Sequence, residues 1–422
     1  MNVSHFQTEF DKMMNRDYFS DKVHPLRQDA FSKFLEIGLP TKKWEDWRFT
    51  NLSSISKGNF RISEIQDAPK GDLDISPYKL KDIDTIVIYN GHYQESISSI
   101  PAEVKLLSGL EYLQNNNWEF KSLEDSPFDL LNTAFMDSGM SIVVDSNVDV
   151  EKPIRMLFIS SGLESLMVTP RIHIDLGESS SLAFIEQHVG DSASFFQNES
   201  VFISLGQNAQ LDHIRIQSNS VSTANIVNIQ VEQNADSGYS FFQFAEGSQL
   251  GRLNIQSELK GEGANCIING LALSNGNQHL DHHIITDHQM PHCSSSQNFK
   301  SVLQDHSSGV FNGRTIVREG AQKTDSMQSN KNLLLSKNAI MNSNPQLEIY
   351  ADDVKCAHGS STGALDEDAL FYLRSRGLDV LSAKALLIRG FATELLDLVK
   401  QDGVRDFITD RFDTWLLENT TA

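Results

Sequence analysis

"IDLGESSSLAFI", residues 174–185, and "ISLGQNAQLDHI", residues 203–214, superpose without a gap. The superposition matches Ile174 with Ile203, Leu176 with Leu205, Gly177 with Gly206, Leu182 with Leu211, and Ile185 with Ile214. A looser third copy, "IQVEQNADSGYSFF", begins at Ile229, at a slightly shorter interval. Because similarity at a nearly fixed period is the signature of stacked structural units, the segment indicates a repeat architecture.

Short strands that return at the spacing of Ile174, Ile203 and Ile229, each with one apolar stripe, are typical of the coils of a β-solenoid. The alternative is a β-sandwich, whose strands recur at closer spacing and are joined by hairpin turns. The long period favours the solenoid, in which successive coils pair in parallel. We therefore predict a mainly β chain with a parallel β-helix as its core.

The repeat lies inside a longer β-rich region that is flanked by segments with helical patterns. From about residue 139, short β-branched runs alternate with Gly, Asn, Ser and Asp turns. Helical spacing returns at Leu365, Ala369, Tyr372, Leu373, Ala383, Leu386, Leu387, Phe391 and Leu395. We predict an N-terminal helical or mixed domain at 1–138, the β-helix at 139–361 and a C-terminal helical domain at 362–422. The C-terminal helices are expected to cap the solenoid or to dock a partner.

Composition and charge exclude several classes of function. A formal net charge of -21 would repel nucleic acid and anionic lipid. No stretch approaches the roughly 18 consecutive apolar residues of a membrane span, and the N-terminal residues lack the apolar centre of a signal peptide. Cys266, Cys293 and Cys356 are scattered and odd in number, as in a reducing compartment. We expect a cytoplasmic protein without nucleic-acid or membrane partners.

Two common catalytic motifs are missing from the sequence. No G-x-x-x-x-G-K-[ST] occurs, and "GVFNGRTIV" lacks the lysine and spacing that would hold phosphates. The G-x-S-x-G nucleophile motif is also absent. Any nucleotide hydrolysis is therefore expected to be carried out by a partner.

The densest group of potential metal ligands surrounds "LDHHIITDHQMPHCSS", residues 280–295. His279, His283, His288, His292 and Cys293 could supply the four nitrogen or sulfur ligands of a zinc site. However, alternate residues of a strand point to opposite faces, so these ligands cannot all converge without a turn. No HExxH or CxxC spacing is present. The simpler interpretation is a polar strand with turn residues, and a metal-dependent enzyme using the 279–293 histidines is the alternative function.

A second candidate site lies in "YADDVKCAHG", where the β-rich region gives way to the C-terminal helices. Cys356 and His358 are two residues apart, so on a strand they project from the same face. A thiolate and an imidazole are both good ligands for iron and zinc, but two ligands do not complete a site. A buried cysteine beside a hydrogen-bonded histidine is the alternative that the residue types leave open.

The same stretch carries a resemblance to a known family. "SVLQDHSSGVFNGRTIVREGAQKTDSMQSNKNLLLS" (301–336) and "AIMNSNPQLEIYADDVKCAHGSSTGALDEDALFYLRSRGL" (339–378) resemble the C-terminal signature of the SufB/SufD family of iron-sulfur cluster assembly proteins. The resemblance extends through residues 280–295 and through "KKWEDWRFTNL" (42–52), about two thirds of the chain. The Lys-Cys-x-His-Gly form around Cys356 is similar to the SufD branch of the family.

The resemblance implies a right-handed parallel β-helix between helical ends, in which residues 280–295 form a strand and a turn. It also implies a scaffold subunit that pairs with a SufB-like subunit through the β-helices and docks a SufC-like ATPase through the C-terminal helices. A scaffold of this kind would not be an enzyme alone.

For the site, the resemblance implies a transient iron-sulfur cluster at the SufB interface, with no cofactor stably bound to this chain alone. His358 occupies the position of the family's ligand histidine, and Cys356 is a secondary candidate, either structural or a helper ligand. A homodimer is expected to be possible for the isolated chain, because exposed strand edges seek partners. A purely structural homodimer is the remaining alternative.

Overall fold

The computed structural model describes residues 4–15, 23–69, 73–108, 126–136, 139–162, 165–191 and 194–420. Its centre is a β-solenoid of about eight turns, with helices at the N-terminal and C-terminal ends. The predicted mainly β fold with helical ends is therefore confirmed. In the part of the chain that the structure describes, no helix is both long enough and apolar enough to cross a membrane.

The solenoid consists of two stacks of strands. In chain order the strands are β1 (Arg61–Ile62), β2 (Asp84–Tyr89), β3 (His92–Tyr93), β4 (Val104–Ser108), β5 (Gly139–Val144), β6 (Ile154–Ser160), β7 (Leu166–Val168), β8 (Arg171–Leu176), β9 (Ser181–Gly190), β10 (Phe195–Leu205), β11 (Gln210–Ser218), β12 (Thr223–Gln233), β13 (Gly238–Ala245), β14 (Leu250–Leu259), β15 (Asn265–Ser274), β16 (His279–His288), β17 (Ser294–Leu303), β18 (Ser308–Val317), β19 (Asp325–Leu334), β20 (Ile340–Ile349) and β21 (Lys355–Gly363).

One sheet has the order β20-β18-β16-β14-β12-β10-β8-β5-β4, with β7 paired to β10 and β1 paired to β7. The other has the order β21-β19-β17-β15-β13-β11-β9-β6-β2-β3. We call them the first and the second sheet. Strands two apart in sequence therefore pair in space, and from β8 to β21 these pairs are parallel. The N-terminal region adds β2 to the second sheet and β4 to the first sheet.

The pairing register explains the sequence repeat. Ile174 pairs with Ile203 and Leu182 with Leu211, so the spacing of the first two copies is the spacing between neighbouring coils. The alignment of the third copy is wrong by two residues, because Ile203 pairs with Val231 and not with Ile229. A shift of two residues keeps every side chain on the same face of a strand, so the apolar alternation cannot detect it.

The helices cover the outer faces of the two sheets. Their bounds are Ser4–Met14, Val23–Ile37, Ser53–Lys57 and Pro127–Phe135 in the N-terminal region, and Glu367–Ser375, Val380–Leu396 and Asp402–Thr420 in the C-terminal region. The N-terminal helices bury a phenylalanine-rich cluster against the first sheet, where Phe128 contacts Phe196 of β10. Ser126 caps the helix Pro127–Phe135 by accepting a hydrogen bond from the Asp129 backbone N–H.

The C-terminal helices pack on the second sheet. Ile388, Leu395 and Phe412 are completely buried there in one cluster with Ile214 and Leu271 of the sheet. Asp366 and Asp379 cap two of these helices by accepting hydrogen bonds from backbone N–H groups. The helices therefore form part of the hydrophobic core of the molecule and also leave one face exposed.

Candidate functional site

The solenoid ends in an open turn, which we call the terminal rung and which consists of β20 and β21. Each is the last strand of its sheet, so in the described part of the chain no strand pairs with its outer edge. Side chains that would face a closed interior are partly or fully exposed there. The hydroxyls of Ser343 and Ser360, one from each strand, lie 2.8 Å apart across this opening. The terminal rung is thus a polar opening into the solenoid.

Cys356 and His358 both lie on β21, on the face that lines this opening. Their in-register neighbours on β19 are Ser326 and Gln328, whose side chains are buried inside the solenoid. His358 is exposed and Cys356 is partly buried against Val317 and its neighbours. The structure thus places the two predicted site residues side by side, two positions apart on one strand.

The environment of the Cys356 thiol does not favour the thiolate, which is the form that binds metal. Burial, followed by the nearby Asp325 carboxylate, raises the pKa of the Cys356 thiol above its usual value. Since the thiolate is the form that binds metal, Cys356 would have to lose its proton before coordinating iron. An exposed imidazole needs no such step when it is neutral. His358 is therefore the better suited of the two to receive a metal.

The histidines at 279–293 do not converge. His279 and His283 point outward from β16, whereas His282 and His288 point into the solenoid, where burial lowers the pKa of both imidazoles to about 4. His288 Nε2 lies 2.8 Å from the Ser295 hydroxyl.

The two remaining members of the set lie in the turn after β16. His292 takes a left-handed backbone conformation there, with φ of 60°, and its side chain is exposed. Cys293 is buried and its thiol lies 3.2 Å from the Gly261 carbonyl oxygen. The set is therefore divided between the two faces of a strand and a turn.

The outward face of β16 contacts the N-terminal region, where His279 Nε2 lies 3.0 Å from the Thr50 hydroxyl. Asp281 of β16 accepts a hydrogen bond from Arg252 at 2.6 Å and lies 3.0 Å from His283 Nε2. The Arg252 guanidinium also stacks 3.7 Å from the ring centre of Trp47. Burial alone would raise the pKa of Asp281, but Arg252 and His283 outweigh it and hold that pKa well below the usual range. This contact attaches the "KKWEDWRFTNL" segment to the first sheet.

Next to this contact a groove of about 680 Å³ follows the outer face of the first sheet. Its walls carry amide and charged side chains, including Asn254, Asn312, Arg314 and Glu348, with Trp44 at one side. Arg314 and Glu348 already neutralise each other at 3.6 Å. The groove is polar, and its lining mixes acidic and basic side chains.

A group of ionisable residues inside the solenoid was missed by the sequence analysis. The ligand atoms of Glu186, His188 and Glu199 lie within 4.8 Å of one another, the one such group of three His, Cys, Asp or Glu residues in the described ranges. All three side chains are completely buried. Their spacing alone would suit a metal ion.

Arg215 gives this group a different chemistry. Its guanidinium lies 3.0 Å from Glu186 and 3.1 Å from Glu199, where it already supplies a positive charge to both carboxylates. Burial, and then the Glu186 charge, raises the pKa of Glu199 to about 8. A protonated Glu199 leaves the group neutral, whereas a divalent ion would leave a buried positive charge. The group is best understood as an internal ion network.

One signal could have revealed this network. The alignment that places Ile185 on Ile214 also places Glu186 on Arg215, and the two are paired in register. Opposite charges at matching positions of neighbouring coils therefore predict a salt bridge. Glu199 lies on the other sheet. Its contact with Arg215 depends on how the two sheets face each other inside the solenoid, and the repeat does not predict that.

Comparison with protein families identifies the chain. Residues 158–391 match the model of the SUF system FeS cluster assembly SufBD core domain, and residues 4–156 match that of the SufBD protein N-terminal region. The chain belongs to the SufBD family. The resemblance noted from residues 301–378 is therefore confirmed. Both Cys356 and His358 lie within the SufBD core match.

Similar proteins place this SufBD chain near SufD. It is 30% identical over 398 residues to iron-sulfur cluster assembly protein SufD of Escherichia coli (strain K12), covering 92% of both chains. It is also 30% identical to a SufBD family iron-sulfur cluster assembly protein of Synechocystis, over 88% of this chain and 86% of that one. A chloroplastic Arabidopsis thaliana protein, ABCI7, is 30% identical over 90% and 83%. This SufBD protein is accordingly SufD-like along nearly its whole length.

Proposed function

We propose that this chain is the SufD-like subunit of a cytoplasmic scaffold that builds iron-sulfur clusters together with a SufB-like subunit and a SufC-like ATPase. The observation that carries the proposal is the terminal rung, whose strands have no partner along their outer edges in the described structure and which exposes His358 in its opening. Unpaired strand edges are templates for another chain. A SufB-like β-helix that completes this end would bury His358 between two subunits.

The chemistry of an imidazole suits a site that must release its cargo. Iron in clusters accepts histidine in place of cysteine, and this replacement changes the stability and redox potential of the cluster. In the proposed site His358 supplies one nitrogen ligand and the SufB-like subunit supplies thiolate. Cys356 is a secondary ligand or a packing residue. The cluster is the cargo of the complex, and this chain alone holds none stably.

The C-terminal helices supply the proposed docking surface for the ATPase. Their inner face is buried on the second sheet, but Phe371 and Tyr372 remain 72% and 56% exposed. Large aromatic side chains exposed on a helix are common anchors of protein interfaces. The chain itself lacks a P-loop sequence, so ATP hydrolysis belongs to the partner.

Pairing is tested at the terminal rung by adding charge where a partner would exclude water. Ile340 begins β20 and Tyr350 directly follows its end, and these residues are 57% and 60% exposed. The control residue Val221 is 60% exposed in a turn away from this end. Ile340→Asp and Tyr350→Asp should each reduce copurification of the SufB-like subunit at least tenfold, since a buried unpaired carboxylate is costly. Val221→Asp should not.

Equal capture by all three variants would reject this interface. Sedimentation of the isolated chain tests whether the same surface forms a homodimer. If the terminal rung also joins two copies of this chain, the parent should sediment as a dimer and the Ile340 variant as a monomer. A dimer that persists in the Ile340 and Tyr350 variants would place any homodimer contact elsewhere on the molecule.

A further inference from the structure

Gln328 lies one coil below His358 inside the solenoid. The two residues are directly paired in the parallel ladder between β19 and β21. Neighbouring strands lie about 4.8 Å apart, so paired side chains on one face are close enough for a hydrogen bond. Gln328 is only 1% exposed, whereas His358 lies on the open turn above it.

The amide of Gln328 is held in one orientation. Its Nε2 donates to the Thr315 hydroxyl at 2.9 Å, and Thr315 in turn lies 3.2 Å from the Thr286 hydroxyl. Gln297, one coil further in, repeats the arrangement by donating to Thr286 at 3.3 Å. Two stacked glutamines are thus anchored by two stacked threonines across the solenoid.

The anchoring leaves the Gln328 carbonyl oxygen without a hydrogen-bond partner in the described structure. A buried acceptor without a donor costs about 1 to 3 kcal/mol, which favours capture of any donor within reach. The ring of His358 carries an N–H on the next coil and has no hydrogen-bond partner among the described residues.

We infer that Gln328 is a positioning residue: the exposed His358 side chain turns its ring N–H onto the unsatisfied Gln328 carbonyl oxygen one coil below, and this hydrogen bond fixes the tautomer of His358. The other ring nitrogen then keeps its lone pair and is directed toward the opening. Histidines that bind metals commonly donate their second N–H to a carbonyl or carboxylate in this way. The inference rests on the proposed function only for the identity of what His358 binds.

The tautomer can be measured on the full-length chain without a partner or a cluster. In chains labelled with nitrogen-15 histidine, the His358→Ala variant identifies the His358 signals, and the ring nitrogen shifts report which nitrogen carries the proton. The parent should show one dominant tautomer. Gln328→Met has nearly the same length but no acceptor, so it should give a mixture of both. Gln328→Glu restores an acceptor and should restore the single tautomer.

Gln297→Met is the matched control, because Gln297 has the same anchor and burial but does not pair with His358. It should leave the His358 signals unchanged. An unchanged tautomer in Gln328→Met, or an equal change in Gln297→Met, would overturn the inference.

A second readout separates this inference from the proposed function. In the complex with its partners, Gln328→Met should weaken iron retention about 10- to 100-fold. If the tautomer responds as expected but His358→Ala complexes still assemble clusters, the positioning role stands and the ligand role of His358 fails. If the tautomer does not respond, the positioning role fails whatever the complex does.

Discussion

At the scale of single residues, exposure of His358 makes its role separable from stability. It lies on the open turn, and the one hydrogen bond inferred for it is that to Gln328, so its removal disturbs little of the isolated chain. His358→Ala should lower the free energy of unfolding by no more than about 1.5 kcal/mol, the net contribution of one hydrogen bond. If His358 is a ligand, the same variant should assemble with its partners yet fail to mature iron-sulfur enzymes in cells lacking the native subunit.

His358→Cys provides the matched comparison, because a thiolate can replace imidazole on iron and should restore part of the activity. Full complementation by the alanine variant would contradict the assignment of His358 as a ligand.

The buried network around Glu199 predicts a dependence of stability on pH. The pKa of Glu199 is about 8 in the folded chain, against 4.5 for an ordinary glutamate. The folded state therefore holds one more proton than the unfolded state between these values, and raising the pH through this window removes stability. The loss is at most about 1.4 kcal/mol per pH unit. Burial alone would raise the pKa of Glu186, but His213, His188 and Arg215 outweigh it, so Glu186 stays ionised in this window.

Glu199→Gln tests this directly, since glutamine has no proton to lose. Denaturant unfolding at several pH values should show a flatter pH dependence between about pH 5 and pH 8 for the variant. The parent should approach or fall below the variant at the alkaline end. Parallel curves would mean that Glu199 is already ionised throughout this range.

At the scale of elements, sequence periodicity predicted the coils of the solenoid but not the contacts that their side chains make. The match of Ile174 with Ile203 and of Leu182 with Leu211 is the correct register for β8, β9, β10 and β11, because a parallel stack repeats side chains at matching positions. The repeat failed by two residues at β12, where the coil from Ile203 to Val231 is one residue shorter than the coil from Ile174 to Ile203 and where alternation cannot detect a shift of two residues. The histidines of β16 could be divided between two faces by alternation, but Thr50, the partner of His279 in the N-terminal region, is more than two hundred residues away.

The contact between β14, β16 and the N-terminal segment predicts a large effect of one charge. Arg252→Met removes the guanidinium but keeps an apolar stem of similar length, and it leaves the buried Asp281 without its main counter-charge. The free energy of unfolding should fall by about 3 to 5 kcal/mol. Arg252→Met combined with Asp281→Leu removes both charges and should cost less than the single change. If the double variant lost as much unfolding free energy as the sum of the two single variants, the charge explanation would be contradicted.

At the scale of the whole molecule, the C-terminal helices have two roles that the sequence could not separate. Their apolar spacing predicted amphipathic helices, and capping or docking remained alternatives. The structure buries Ile388, Leu395 and Phe412 on the second sheet, so cutting the chain after Thr362 would expose that sheet. Whether the helices cap the solenoid or dock a partner depends on which of their faces packs against a sheet. This packing is between residues far apart in sequence, so the helical spacing alone does not predict it.

The docking surface is therefore tested by point changes on the outer face. Phe371→Asp and Tyr372→Asp place charge on side chains that are exposed in the helix Glu367–Ser375, none of whose residues is buried. The free energy of unfolding should change by about 0.5 kcal/mol or less. Each change should lower capture of the SufC-like ATPase at least tenfold, because anchors at an interface centre each carry more than about 1.4 kcal/mol.

Ile65→Asp, at an exposed isoleucine of the N-terminal region, is the control and should bind as the parent does. Since the SufB-like subunit would bind at the terminal rung, its copurification should be the same in all three variants. ATPase capture that is unchanged in both aromatic variants would place the docking surface elsewhere on the molecule.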